Sequence, residues 1–276
     1  MISESNQFGI SKTLVKDWNN AAFLSDLEPE IQDEWVRRIS WLRLVDELAE
    51  NEFLDGQGTE FQNFFQGWKL LLTDNKVLIG CAYEDILTQI KNSWFHSNPS
   101  LVDELSIQSW DKHVIALAKY NQPNLCIQTL QQHQTMLEDV GGNFFQVSPF
   151  LTAEHWQLAY YLGTADQFYN NLRDLQEDSE RKICYFPVDL LNNFGVRREQ
   201  FFQMDVYQNP GYHKMMQFWL DEYLLKIRVQ SDKIMLANDL HPSWNICRQW
   251  CLQRYARIER IFRECDFDYT LFSQVY

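Results

Sequence analysis

The chain has 276 residues, 45% of them hydrophobic, and its 38 acidic against 24 basic side chains give a formal charge of −14. That balance, with no basic stripe, excludes nucleic acid as a partner, because a phosphate backbone is gripped by clustered lysine and arginine. No Pro/Gly/Ser linker, internal repeat or low-complexity run interrupts 1–276, so the chain reads as a single domain, and its ten glycines suit helices better than turn-rich sheets.

The opening MISESNQFGISK lacks a basic n-region and an apolar h-region, and no run of about eighteen apolar residues follows, so a soluble cytoplasmic protein is expected. Nineteen Phe, twelve Tyr and ten Trp fill an aromatic core and leave room for a patch that rests peripherally on a membrane. Apolar periodicity predicts helices near 12–26, 30–53, 58–74, 76–95, 110–120, 124–139, 152–180, 198–207, 211–230 and 243–265. Asp139 to Asn143, with Gly141-Gly142, reads as a break joining two helices. Thr152 with Glu154-His155 reads as a start for the helix that follows, and Pro187 as the entry to a short helical turn, Val188 to Asn193, capped by Gly195. An all-α fold follows.

The six cysteines are scattered without a C-x-x-C. Cys247 and Cys251 stand one turn apart with no histidine at ligand spacing, so reduced core thiols are expected, not zinc. The six histidines are equally dispersed, and neither a nucleophile elbow nor a Gly-rich phosphate loop is present.

Two polar ridges carry the chemistry. At about 100° per residue, Gln167, Asn170, Asn171, Asp174 and Asp178 share one helix face, flanked by Leu162, Ala165, Phe168, Leu172 and Leu175. A long helix buries one face, so this ridge is expected to line a cavity. Arg43, Asp46, Glu47 and Glu50 share a face in the same way, flanked by Trp41, Leu42, Leu44, Val45 and Leu48. Each alone is compatible with a solvated acidic face. Facing one another, they would bind two or three Mg²⁺ ions through carboxylate oxygens, and those ions would hold a diphosphate that the acids alone repel.

R-x-x-D-E-x-x-E from Arg43, then Q-x-x-N-x-x-R-D-x-x-E-D from Gln167 and Y-F-P-x-D-L-L-x-x-F-G-V from Tyr185, resembles the squalene and phytoene synthase family. The likeness runs from about Trp35 to the C-terminus, where Tyr255 to Glu259 and Asp268 to Leu271 are similar to the family's last helix and tail. The resemblance implies a single-domain isoprenoid synthase-like helical bundle around a central cavity. It implies a prenyltransferase that condenses two prenyl diphosphates, farnesyl or geranylgeranyl, head-to-head into a squalene- or phytoene-type product.

On that reading Asp46, Glu50, Asp174 and Asp178 are the catalytic Mg²⁺ ligands, with Asn170 as a neutral oxygen ligand or diphosphate contact. Arg43, Gln167, Arg181, Tyr185 and Tyr255 join Asn170 in binding substrate, and NADPH is needed if the product is squalene. The departures are specific. Lys182-Ile183 stands where the family usually has Gly-Arg, so Arg181 or Lys182 must substitute, and Gln274 stands at a usual arginine position. Glu50 replaces the more usual Asp, Asn143 to Pro149 only faintly echoes the family's helix segment, and the usual Ser-Phe before the first motif is absent. This thinned cationic set keeps two alternatives open: a terpene cyclase or prenyltransferase that uses one prenyl diphosphate, and a non-catalytic relative acting as an interaction or assembly protein. The sequence leaves the oligomeric state open.

Overall fold

The computed structural model describes Leu24 and residues 26–276, so the helix expected near 12–26 lies almost wholly outside the described residues. All regular structure among them is helical. The described residues divide into two compact units: those up to Gln122 with Gln146–Trp156, and Pro123–Phe145 with Gln157–Tyr276.

The first unit is built on α1 (Pro29–Ala49), α2 (Glu60–Asp74), α3 (Glu84–Trp94) and α4 (Leu101–Tyr120). Pro29 starts α1 where its missing N–H is no loss, and the helix runs on into a π-helical turn, Glu50–Leu54. Four indoles hold these helices together. Trp110 lies edge-on to Trp41, Trp68 and Trp94 at 6.4, 6.3 and 6.1 Å, and all four rings are buried. Two of the indole N–H groups are satisfied from neighbouring helices, Trp41 by Gln89 Oε1 at 3.1 Å and Trp68 by Asp111 Oδ1 at 2.8 Å.

Two expected boundaries move. The helix predicted from 76 begins only at Glu84, because Asn75 ends α2 at φ 54° and Gly80 turns the chain at φ +79°. The one predicted from 110 begins at Leu101, because Ser100 and Asp103 form a reciprocal capping box.

The second unit opens with α5 (Leu130–Leu137), a π-helical turn (Glu138–Gly142) and α6 (Asn143–Gln146). It continues with α7 (Trp156–Arg173), α8 (Leu175–Glu180), α9 (Val188–Asn193), α10 (Arg198–Phe202) and α11 (Pro210–Phe218), which passes through a second π-helical turn (Trp219–Tyr223) into α12 (Leu224–Ser231). Then come α13 (Pro242–Glu264) and α14 (Tyr269–Val275). The break expected at Asp139 to Asn143 is instead a widened helical turn. Its two glycines serve contact, not chain reversal: a Cβ on Gly141 would stand 2.3 Å from the Gly163 carbonyl oxygen of α7, and one on Gly142 would stand 2.7 Å from the Tyr160 ring. The turn Val188 to Asn193 forms as expected, with Gly195 at φ +64° behind it.

α13 is fastened to α7 by ring stacking and by charge. Tyr169 and Tyr255 stack at 4.3 Å with an interplanar angle of 4°, and the Tyr169 hydroxyl donates to Glu259 at 3.3 Å. Asp268 caps α14 by accepting from the Thr270 and Leu271 N–H groups. Among the described residues no helix is long and apolar enough to cross a membrane.

Candidate active site

In the first unit, Arg43, Asp46 and Glu50 lie half-buried along the end of α1, while Glu47 between them is exposed. Arg43 Nη1 is 3.3 Å from Asp46 Oδ2, an ion pair one turn long. Glu50 opens the π-helical turn, yet its N–H still donates to the carbonyls of Asp46 and Glu47, so Asp46 and Glu50 remain one turn apart.

In the second unit, the expected continuous helix 152–180 is interrupted at Asp174, whose backbone (φ −90°, ψ 9°) leaves the helical range. The interruption is local. Asp174 N–H still bonds to Asn170 O at 2.9 Å and Asp178 N–H to Asp174 O at 2.8 Å, so the two carboxylates keep their one-turn spacing. The start of α7 comes later than expected, at Trp156, and Thr152 meets His155 Nδ1 at 2.9 Å just before it.

The polar ridge resolves into separate pairs. Gln167 Nε2 donates to Asn171 Oδ1 at 2.9 Å. Asp174 is held by Arg173 through two parallel bonds, Nε to Oδ1 at 2.7 Å and Nη2 to Oδ2 at 2.6 Å, the planar fork-to-carboxylate geometry that favours arginine. Asn170 belongs to a cluster centred on Asp166. Asn170 Nδ2 donates to Asp166 Oδ2 at 3.1 Å, while Arg254 Nη2 donates to Asp166 Oδ1 at 2.9 Å and to Asn170 Oδ1 at 2.8 Å. The buried Tyr255 hydroxyl donates to Asp166 Oδ1 at 2.7 Å. Burial alone would pull the Arg254 guanidinium down, but Asp166, with Tyr255 and Cys251, outweighs it and holds the group above its ordinary value. Burial, then Asp166, pushes the Tyr255 phenol well up, so it stays protonated and donating.

Asn171 and Asp178 line a narrow cleft in the second unit. Tyr185 and Ile183 line it beside them, and Phe168, Phe186 and Trp219 wall it with aromatic rings. Trp219 anchors that wall, 5.4 Å from Phe168, 5.1 Å from Phe186 and 4.6 Å from Tyr223 between centroids. The Asn171 Nδ2 group is buried with no hydrogen-bond acceptor, so it is a donor left over at the cleft. The cleft thus carries a few polar side chains, Asn171 and the acidic Asp178 among them, in a mostly apolar lining. Ile183, at the position where an arginine was missed, is buried and lines the same cleft. Arg181 closes α8 half-buried, Lys182 is exposed, and Gln274 is exposed on α14.

Within neither unit do the described residues gather three or more His, Cys, Asp or Glu side chains into a metal-binding group. The donor chemistry still fits Mg²⁺. This ion takes oxygen, and it asks a protein for only one or two carboxylates, filling the rest of its octahedron with water and phosphate. Asp174 with Asp178, or Asp46 with Glu50, supplies such a pair.

Sequence reasoning missed Arg173, Asp166, Arg254 and His133. Arg173 is a fixed position of the motif to which the sequence assigns no role. Asp166 and Arg254 are 88 residues apart and pair only through tertiary packing. His133 was set aside as dispersed, although it falls on the apolar stripe of Leu130 and Leu137, where a polar ring is the exception. All six cysteines are free thiols; Cys184, Cys247 and Cys251 are buried, Cys81 and Cys265 half-buried and Cys126 exposed.

Comparison with proteins of curated description finds no sequence match. Among solved structures, squalene synthase HpnC from Alicyclobacillus acidocaldarius superposes with a TM-score of 0.67 at 15% identity, covering 95% of this chain and 94% of its own. A dehydrosqualene synthase in complex with ligand superposes with a TM-score of 0.63 at 14% identity, covering 91% and 88%. At those identities the likeness is one of fold, the all-α isoprenoid synthase fold. Residues 128–226 match the squalene/phytoene synthase family model, and that span carries Gln167, Asn170, Asp174, Asp178 and Tyr185. Over residues 128–226 the chain is similar to the squalene/phytoene synthase family.

Proposed function

We propose that the protein is a Mg²⁺-dependent prenyltransferase that ionises a prenyl diphosphate and couples it head-to-head with a second one, giving a squalene- or phytoene-type hydrocarbon. The observation that carries this reading is the cleft of the second unit, lined by a polar set that includes Asp178 and the Asn171 amide and by an apolar one, the rings of Phe168, Phe186 and Trp219. A prenyl diphosphate has the same division, an anionic head and a greasy tail.

In this reading Asp174 and Asp178 of the second unit hold Mg²⁺, and Asp46 and Glu50 of the first unit offer a carboxylate pair of the same kind. When bound, the metal neutralises the charge that grows on the diphosphate as its allylic C–O bond breaks. Arg43 and Arg181 bind phosphate oxygens as fixed cations, and the Asn171 amide donates to one of them. Gln167 orients Asn171 through the bond to its Oδ1. The Asp166–Arg254–Tyr255 cluster fixes Asn170, so that Asn170 and Tyr255 act by holding α7 in place at the substrate. The aromatic wall excludes water from the allylic cation and offers it ring faces, which attract positive charge. Tyr185 closes the mouth. Exchange of lipid-soluble molecules with a membrane from the cytoplasmic side is assigned to the exposed Leu225 and Val229, one turn apart on α12.

Ile183 favours a second reading. An aliphatic side chain where a phosphate-facing arginine is usual lowers the capacity for a second diphosphate, which leaves an enzyme that ionises one prenyl diphosphate and cyclises it or passes the prenyl group to another acceptor.

Incubation of the folded protein with farnesyl or geranylgeranyl diphosphate and Mg²⁺ is expected to release diphosphate, and chelation is expected to stop the release. No release from either substrate overturns both readings. The mass of the extracted product then separates coupling, at twice the prenyl carbon count, from cyclisation.

A further inference from the structure

One polar ring stands in the apolar wall of the cleft. His133, on α5, lines it while being only 1% exposed, and its ring lies 4.8 Å from Trp219. Nothing in the function proposed above uses it.

Its surroundings fix which nitrogen is on offer. The Tyr223 hydroxyl is 2.9 Å from His133 Nδ1 and donates to Gln134 Oε1 at 3.5 Å, and Gln134 Nε2 donates to Glu138 Oε1 at 2.8 Å. A carboxylate accepts only, so Glu138 turns the amide nitrogen of Gln134 toward itself and the amide oxygen toward Tyr223. The tautomer that fits this chain of bonds carries its proton on Nδ1, with His133 donating to Tyr223. Nε2 then keeps its lone pair. The chain of bonds ends on a negative charge, the arrangement that stabilises an imidazolium once formed. Two members of the relay lie on π-helical turns, Glu138 on Glu138–Gly142 and Tyr223 on Trp219–Tyr223, and such turns redirect side chains out of the regular helical pattern.

We propose that His133 is the proton acceptor that ends the carbocation sequence. Nε2 takes a proton from the carbon next to the cationic centre, the C–H electron pair becomes the new C=C bond, and the imidazolium is held by Tyr223, Gln134 and Glu138 until water on product release removes the proton. This rests on the prenyl diphosphate reading and deepens it: the product is the more unsaturated hydrocarbon, formed without a nicotinamide. Burial holds the imidazole neutral, pulling its pKa down to about 3, so it does not repel the incoming cation. So weak a base still suffices, because a carbocation is a far stronger acid than any side chain.

The test uses the full chain with farnesyl and with geranylgeranyl diphosphate, Mg²⁺ and no nicotinamide, measuring diphosphate release and product identity side by side. The wild type is expected to give the coupled hydrocarbon with the extra double bond. His133→Asn keeps an N–H for Tyr223 but has no second ring nitrogen. Its hydrocarbon yield per diphosphate released should fall at least tenfold, with prenyl alcohols from water capture in its place. Tyr223→Phe and Glu138→Gln should shift the same ratio by smaller factors, and they decide the matter if His133→Asn does not fold. An unchanged ratio in these variants overturns the role of His133. So does a wild-type product that is an alcohol, or one made only when NADPH is added. No diphosphate release from the wild type is a different failure, which overturns the prenyl diphosphate reading together with this role.

Discussion

Gly141 and Gly163 meet backbone to backbone. A Cβ on Gly141 would stand 2.3 Å from the Gly163 carbonyl oxygen, and one on Gly163 would stand 2.1 Å from that of Gly141. The contact sets how closely the π-helical turn after α5 approaches α7, and so where His133 and Glu138 stand relative to Phe168 and Asn171. Backbone cannot move aside as a flexible side chain can. Gly163→Ala should therefore destabilise the fold by about 2–4 kcal/mol, beyond the usual range for an added methyl. Thermal unfolding followed by circular dichroism measures it, and a midpoint within a degree of the wild type would show that the two helices can part freely.

The Asp166 cluster makes a second prediction. The Arg254 side chain is 9% exposed and Asp166 is its ion-pair partner. Asp166→Leu leaves that guanidinium with only the Asn170 oxygen and should cost about 3–5 kcal/mol, the range for breaking a buried pair by removing one partner. Adding Arg254→Met to it should recover part of the loss, since no uncompensated charge then remains. Denaturant unfolding of the two singles and the double gives the coupling, which should exceed about 1 kcal/mol. Additive losses would mean that the pair contributes nothing as a pair.

These two contacts mark where the sequence stopped being informative. The helix bearing Asp174 and Asp178 is legible because local periodicity and the one-turn spacing of its acids are properties of adjacent residues. The interruption at Asp174 is not, because the neighbouring backbone bonds survive it and the composition does not change. Gly141-Gly142 was misread for a related reason. Glycine signals either a turn or a close approach, and only Gly163, on another helix, distinguishes the two. The Asn170 side chain faces Asp166 and Arg254 more than an open ridge, a fact set by α13, which lies about eighty residues further on.

His133 gives a pH prediction with a definite sign. Its folded pKa is near 3, against about 6.5 for an unfolded histidine, because burial penalises the charged ring. As pH falls below about 6.5 the unfolded chain takes up a proton that the folded one refuses, so the stability present above that pH is lost on the way down, by up to about 1.4 kcal/mol per pH unit until about pH 3. His133→Leu removes this proton uptake. Between pH 6.5 and 4.5 the stability of the variant should therefore fall less steeply than that of the wild type, as read from denaturant midpoints. Parallel curves would mean that the imidazole is solvated and titrates normally.

The acids divide into two sets, Asp46 and Glu50 in the first unit and Asp174 and Asp178 in the second. Asp174→Asn keeps an oxygen for Arg173 but removes the charge, so stability should fall by only about 1–3 kcal/mol. Diphosphate release should fall by about a hundredfold or more, because electrostatic help to the leaving group is the step that needs the carboxylate. Asp46→Asn on α1 should produce a loss of similar size. If the two carboxylates act in the same step, the double variant should be barely worse than either single, since a step already lost cannot be lost twice. Losses that multiply, with folding intact in all three variants, would assign the two acidic sets to independent tasks and leave Asp174 and Asp178 to act on diphosphate alone.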